Sequence, residues 1–142
     1  MVRPPVGGEV VKDQTLAQRR AADALAKIQG LKHKGRDHYG NYKSYVKALP
    51  ANILMSGLGQ AVATVRARDR KGYPQLYEHL ATWLCGDDPD VPYRNHPKAD
   101  LLGAIVEHDQ DHYIHAQSEA MAYLEWLRKF ADAFLEGGEE RD

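Results

Sequence analysis

Residues 111–135 read DHYIHAQSEAMAYLEWLRKFADAFL, and their periodicity decides the fold. Ala120, Tyr123, Leu124, Leu127, Ala131 and Phe134 return at three- and four-residue steps, which places them on one face of an α-helix. Glu125 precedes Lys129 by four residues, the favourable orientation for an exposed ion pair on a helix. The stretch predicts a long helix from near Asp111 to Leu135. An apolar stripe of that length needs other apolar faces to pack on, so the rest of the chain must supply them.

The same period recurs upstream. Leu16, Ala21, Ala24, Leu25 and Ile28 predict a helix near 14–29, with Thr15 and Gln18 at capping-box spacing and Gly30 as its stop. Tyr42, Tyr45, Val46 and Leu49 predict a second helix over Asn41–Ala48, after a basic loop at 31–40. Pro50 fits the first turn of a third, running to about Arg68 and interrupted by Gly57 and Gly59. Leu76, Tyr77, Leu80, Trp83 and Leu84 mark a fourth over Tyr73–Leu84. Gly86–Lys98, with three prolines and several aspartates, reads as a surface loop, and a short fifth helix follows from Ala99 to about His108. No segment alternates polar and β-branched residues. The reading is therefore all-α: a single-domain bundle of five to six helices over residues 14–135, with a flexible N-terminal arm at 1–13 and an acidic tail at 136–142.

The 142 residues fit one domain with its own core. One cysteine, Cys85, excludes an internal disulfide framework and a cysteine-based zinc cluster. No apolar run approaches the ~20 residues of a membrane span, and the first residues lack the core of a signal peptide, so a soluble cytoplasmic protein is expected.

The net charge of −1 hides a division. Residues 1–71 hold 14 Lys+Arg and 5 Asp+Glu, a net +9; residues 72–142 hold 5 and 15, a net −10. Such a split points to a polyanionic partner, to self-association, or to both. Arg19, Arg20 and Lys27 lie on or beside the polar side of the first helix, Lys43 and Lys47 stand four apart on the second, and Arg66, Arg70 and Lys71 gather at the end of the third. If the three helices pack through their apolar stripes, these cations can merge into one surface for a phosphate backbone. Tyr39 and Tyr42 are candidates for stacking on bases, although Tyr42 and Tyr45 also fit a core.

Signs of catalysis are sparse. His108 and His112 share a helical face beside Asp109, Asp111 and His115, a metal-ligand spacing, but the cluster lacks the glutamate of helical zinc proteases and is better read as a helix start with acids near its N-terminus. Neither a nucleophile elbow nor a phosphate-binding glycine loop is present. No catalytic residue, metal or cofactor is expected.

Several segments together resemble the small α-helical subunit family of the type III-B CRISPR–Cas effector, the Cmr complex. They are Gln18-Arg19-Arg20-Ala21, the Tyr42–Pro50 segment with Lys47 before Leu49-Pro50, Ser56-Gly57-Leu58-Gly59-Gln60-Ala61, the positions Tyr77, Leu80, Trp83 and Leu84, and Tyr113 with the run from Glu119 to Ala131. Ser56 stands where the family usually has asparagine, and the Asp87–Lys98 loop and acidic tail are not covered. The resemblance implies a non-catalytic subunit that stacks in several copies beside other Cmr subunits and lines the target-RNA groove with a basic face, in defence against foreign RNA. Arg20 and Lys47 match the family's basic positions; Arg19, Lys27, Lys43, Arg66, Arg70 and Lys71 follow from the charge distribution alone. A helical protein–protein adaptor, or a metal-dependent enzyme using His108 and His112, are the alternatives.

Overall fold

A computed structural model describes residues 13–137. Its elements are α1 (Leu16–Lys34), a one-turn α2 (Arg36–Tyr39), α3 (Tyr42–Ser56), α4 (Leu58–Ala67), α5 (Tyr73–Leu84), a 3-10 turn at Pro97–Ala99, α6 (Leu101–Glu107) and α7 (Gln110–Phe134). The described residues contain no strand, and none of their helices is long and apolar enough to cross a membrane. The arm expected at 1–13, apart from Asp13, and the tail beyond Gly137 lie outside the described residues.

Helix α7 forms as its sequence predicts, and its stripe is the axis of the core. Ala116, Ala120, Tyr123, Leu124, Leu127 and Ala131 are all buried. Its most extensive packing is on α1, through Ala24, Ile28 and Leu31. Helices α3 and α5 close the other sides with Val46, Leu49 and Ile53 and with Leu76, Leu80 and Leu84. Phe134, counted into the stripe from its spacing, is instead exposed at the last turn.

Two helix boundaries fall where a glycine's backbone decides them. Helix α1 runs through Gly30, around which a side chain would meet nothing, and ends at Gly35, whose φ of 96° is a conformation that L side chains rarely adopt. The expected capping box is present: the Gln18 amide donates to Thr15 Oγ1 at 3.0 Å and the Thr15 amide to Gln18 Oε1 at 2.8 Å. Pro50 does not start a helix. It sits inside α3, where the buried series Tyr42, Val46, Leu49, Ile53 continues straight past it. An interior proline costs about 3 kcal/mol, and that continuous apolar face offsets it. The break falls at Gly57, with φ 86°.

The loop after α5 is not simply a surface loop. Val91 and Tyr93 are buried in the core, pinned by Tyr93 N–H to the Leu84 carbonyl (3.0 Å) and Asn95 N–H to the Gly86 carbonyl (2.8 Å). Cys85 is buried beside them, and burial pushes its thiol up to about 12, which leaves it unreactive.

Candidate nucleic-acid interface

The eight cations singled out in the sequence fall into two groups. Arg19, Arg20 and Lys27 are engaged inside the fold. Arg20 donates from Nε and Nη2 to Glu119 at 2.6 and 2.8 Å, and Glu119, 2% exposed, also accepts from Trp83 Nε1 at 2.8 Å. Arg19 donates to Asp88 at 2.8 Å, to the Gln14 carbonyl at 2.8 Å and to Asp90. Lys27 meets Asp23 at 2.7 Å and the His79 carbonyl at 3.0 Å, above the Tyr123 ring. Burial lowers its ammonium pKa, and Asp23 opposes that shift.

These pairs revise the meaning of the charge split. Arg19–Asp88, Arg19–Asp90 and Arg20–Glu119 each join the basic half of the chain to the acidic half. Part of the asymmetry therefore binds one half of the domain to the other.

The second group faces water. Lys47, Arg66, Arg70 and Lys71 are exposed, while Lys43 is half-buried and donates to the Leu135 carbonyl at 3.3 Å, where a cation complements the C-terminus of α7. Arg66, Arg70 and Lys71, joined by the exposed Arg68, crowd the end of α4 and the turn into α5. Arg66 lies over the Tyr77 ring, its guanidinium carbon 5.8 Å from the centroid. Lys47 does not join them directly: it stands two residues beyond Tyr45, about 200° around α3, whereas Tyr45 faces the α4–α5 turn. The expected single surface is thus a concentrated cluster at the α4–α5 turn with Lys43 and Lys47 on a separate bearing.

The stacking candidates also change. Tyr39 and Tyr42 are core residues, 3% and 0% exposed, and Tyr42 shares a 2.7 Å hydrogen bond with His79 Nδ1. The half-buried aromatics beside the cluster are Tyr45 and Tyr73, stacked at 3.7 Å with ring planes 9° apart. Arg68 lies over Tyr73, 5.4 Å from its centroid. Gly72 makes this possible: it is buried at φ 109°, and a Cβ there would come within 2.8 Å of the Tyr42 amide and 2.9 Å of Tyr45 Cδ2. The run Arg66-Ala-Arg68-Asp-Arg70-Lys71 carries the signal for Arg68; the Tyr45–Tyr73 pairing has none, because it joins two helices.

His108 and His112 lie 5.1 Å apart between ring centroids, beside His96 and Tyr93. His108 Nδ1 bonds the Ala104 carbonyl at 2.9 Å and His112 Nδ1 bonds Asp109 at 2.7 Å. Among the described residues, no group of three or more His, Cys, Asp or Glu side chains is arranged to hold a metal ion.

Helix α4 begins without a capping side chain of its own, and α7 supplies one. The Leu58 amide donates to Gln117 Oε1 and the Gly59 amide to Tyr113 Oη, both at 2.9 Å. Around this junction Leu54, Met55 and Ile114 are exposed apolar side chains.

An all-α domain with a clustered cationic turn and exposed apolar residues has the build of a small component of a larger assembly. Residues 16–134 match the family model described as CRISPR-associated protein (Cas_Cmr5), and the chain belongs to the Cmr5 family. It is 30% identical over 124 residues to the CRISPR system Cmr subunit Cmr5 of Thermus thermophilus, covering 87% of this chain and 98% of that protein. The crystal structure of a CRISPR-associated Cmr5 family protein from Thermus thermophilus matches with a TM-score of 0.70 at 29% identity, over 87% of this chain and 99% of that one.

Proposed function

We propose that this chain is a non-catalytic subunit of a Cmr-type CRISPR effector in the cytoplasm, and that it contributes a phosphate-backbone contact to RNA through the α4–α5 turn. The observation that carries the reading is the exposed cluster Arg66, Arg68, Arg70 and Lys71 on a Cmr5-family fold. Lys43 and Lys47 form a second, smaller contact. Arg19, Arg20 and Lys27 take no part, because their charges are committed to Asp88, Asp90, Glu119 and Asp23. Contacts of this kind are indifferent to base sequence and weaken with salt, since each neutralised phosphate releases counterion.

The exposed Leu54, Met55 and Ile114 suit contact with other subunits or with further copies of this chain. Stacking between copies through opposite charges makes association fall as salt rises; sedimentation at low and high salt tests it, and salt-independent association overturns it.

The RNA contact is tested by titrating single-stranded RNA across a salt series, with the full chain and with a variant in which Arg66, Arg70 and Lys71 become glutamate. The parent should give a log–log slope of about −0.7 per phosphate neutralised. The variant should bind weakly with a shallower slope. A variant that binds as the parent does overturns the assignment. The Lys43→Glu, Lys47→Glu double variant measures the second contact in the same way.

A further inference from the structure

The stacked pair at the α4–α5 turn does more than present charge. Arg68 and Tyr73 form a wall shared by two surface cavities. On one side, between α3 and α4, lies a cavity of about 260 Å³ lined by Asn52, Ser56, Gln60 and Thr64. On the other lies a cavity of about 460 Å³ lined by Tyr45, Asp69 and Arg70.

The two sides differ in chemistry. Asn52 and Gln60 are exposed amides, each offering a carbonyl acceptor and an NH₂ donor, and Ser56 adds a hydroxyl. Tyr45, Asn52 and Ser56 share a face of α3, being seven and four residues apart. Thr64 Oγ1 donates to the Gln60 backbone carbonyl at 3.0 Å, which orients its hydroxyl. This cavity carries no formal charge except that of Arg68, whose flat guanidinium is a stacking surface. The other cavity carries Arg68 and Arg70 against the single carboxylate of Asp69, with exposed Lys71 next in the chain.

We infer that this is a nucleotide site. One base of a single-stranded RNA, splayed from its neighbours, enters the α3–α4 cavity, stacks on the Arg68 guanidinium, which Tyr73 backs, and pairs its polar edge with Asn52 and Gln60. The phosphate of that nucleotide sits on the opposite side with Arg70 and Lys71. The inference rests on the RNA reading above and adds to it a base contact, which a backbone interface alone does not contain.

The test compares two strands of equal length and charge, one an oligoadenylate and one wholly abasic, binding to the full chain at fixed salt. Stacking predicts that the parent holds the oligoadenylate about fivefold or more tightly than the abasic strand. Arg68→Lys, which keeps the charge and loses the plane, and the Asn52→Ala, Gln60→Ala double variant should each shrink that ratio towards one. Both change exposed side chains, and circular dichroism melting verifies that they fold. Arg70→Ala with Lys71→Ala should weaken both strands alike and keep the ratio. Equal binding of the two strands by the parent overturns the nucleotide site and leaves the backbone contact standing. A ratio unchanged by the Arg68 and Asn52/Gln60 variants places the base elsewhere and also overturns it. Binding of neither strand overturns both readings.

Discussion

The Tyr113 hydroxyl accepts the backbone amide of Gly59 across 2.9 Å, so a side chain of α7 caps the start of α4. Gln117 does the same for Leu58 one turn further along α7. The closeness of the two helices needs Gly57, since a Cβ there would meet the Tyr113 oxygen at 3.2 Å on a backbone already at φ 86°. Tyr113→Phe keeps the ring and removes the acceptor. It should cost about 1 kcal/mol, as other lost helix caps do, and Gln117→Ala a similar amount. Urea unfolding of the two variants and of Gly57→Ala checks this; an unchanged midpoint for Tyr113→Phe would show the cap to be idle.

Arg20 pairs with Glu119, the most deeply buried carboxylate of the ion pairs among the described residues. Arg20→Ala leaves a carboxylate enclosed with only the Trp83 N–H, and such breakage of a buried pair costs about 3–5 kcal/mol. Changing both residues together, Arg20→Met with Glu119→Leu, should be far milder. The same variants separate structure from recognition: Arg20 changes should move the melting temperature, whereas Arg70 and Lys71 changes should move RNA affinity and leave melting nearly unchanged.

His79 gives the fold a pH dependence. Burial, reinforced by the nearby Lys27 ammonium, lowers its pKa from 6.5 to about 3. Above 6.5 the ring is neutral whether the chain is folded or not. Between 6.5 and about 3 the unfolded chain binds a proton that the folded chain refuses, so stability falls as pH falls, by up to about 1.4 kcal/mol per pH unit. His79→Gln, which can still accept from the Tyr42 hydroxyl, should flatten the profile in that window relative to the parent. Parallel profiles for the two proteins would contradict the assignment.

Tyr93 predicts a gain. Its hydroxyl is buried with no hydrogen-bond partner among the described residues, and burial raises its pKa to about 12. Tyr93→Phe removes the unsatisfied group at no loss of ring packing and should stabilise the domain by about 1 kcal/mol. A lower melting temperature in Tyr93→Phe would show that water or a partner satisfies that oxygen.

The parts legible in the sequence are those set by spacing within one helix. The α7 stripe, the α5 stripe and the Thr15–Gln18 cap are all readable because each depends on neighbours three or four residues away. The break at Gly57 in place of Pro50 is only half legible: the glycine marks an interruption, but that the chain turns there at positive φ and runs straight through Pro50 is decided by the packed fold. The outward reading of Arg19 and Arg20 fails for a related reason. The flank of a helix stripe is polar in sequence whether it meets water or a neighbouring helix, and their partners lie 69 and 99 residues away. The cluster at Arg66–Lys71 is legible as charge, and the aromatic wall within it is not, since Tyr45 and Tyr73 meet only in the fold.

Helix α7 and the residue that caps it close many circuits at once: they pair with the Arg20 guanidinium, cap α4 and accept Lys43 at the Leu135 carbonyl. During synthesis every one of those groups emerges before its partner. The earlier helices can collapse on the ribosome but hold unmet polar groups until residues 113–135 arrive, so the domain folds as one unit that α7 completes. A nascent chain stalled before α7 should therefore stay sensitive to protease across its whole length, and turn resistant only when that helix has cleared the exit tunnel.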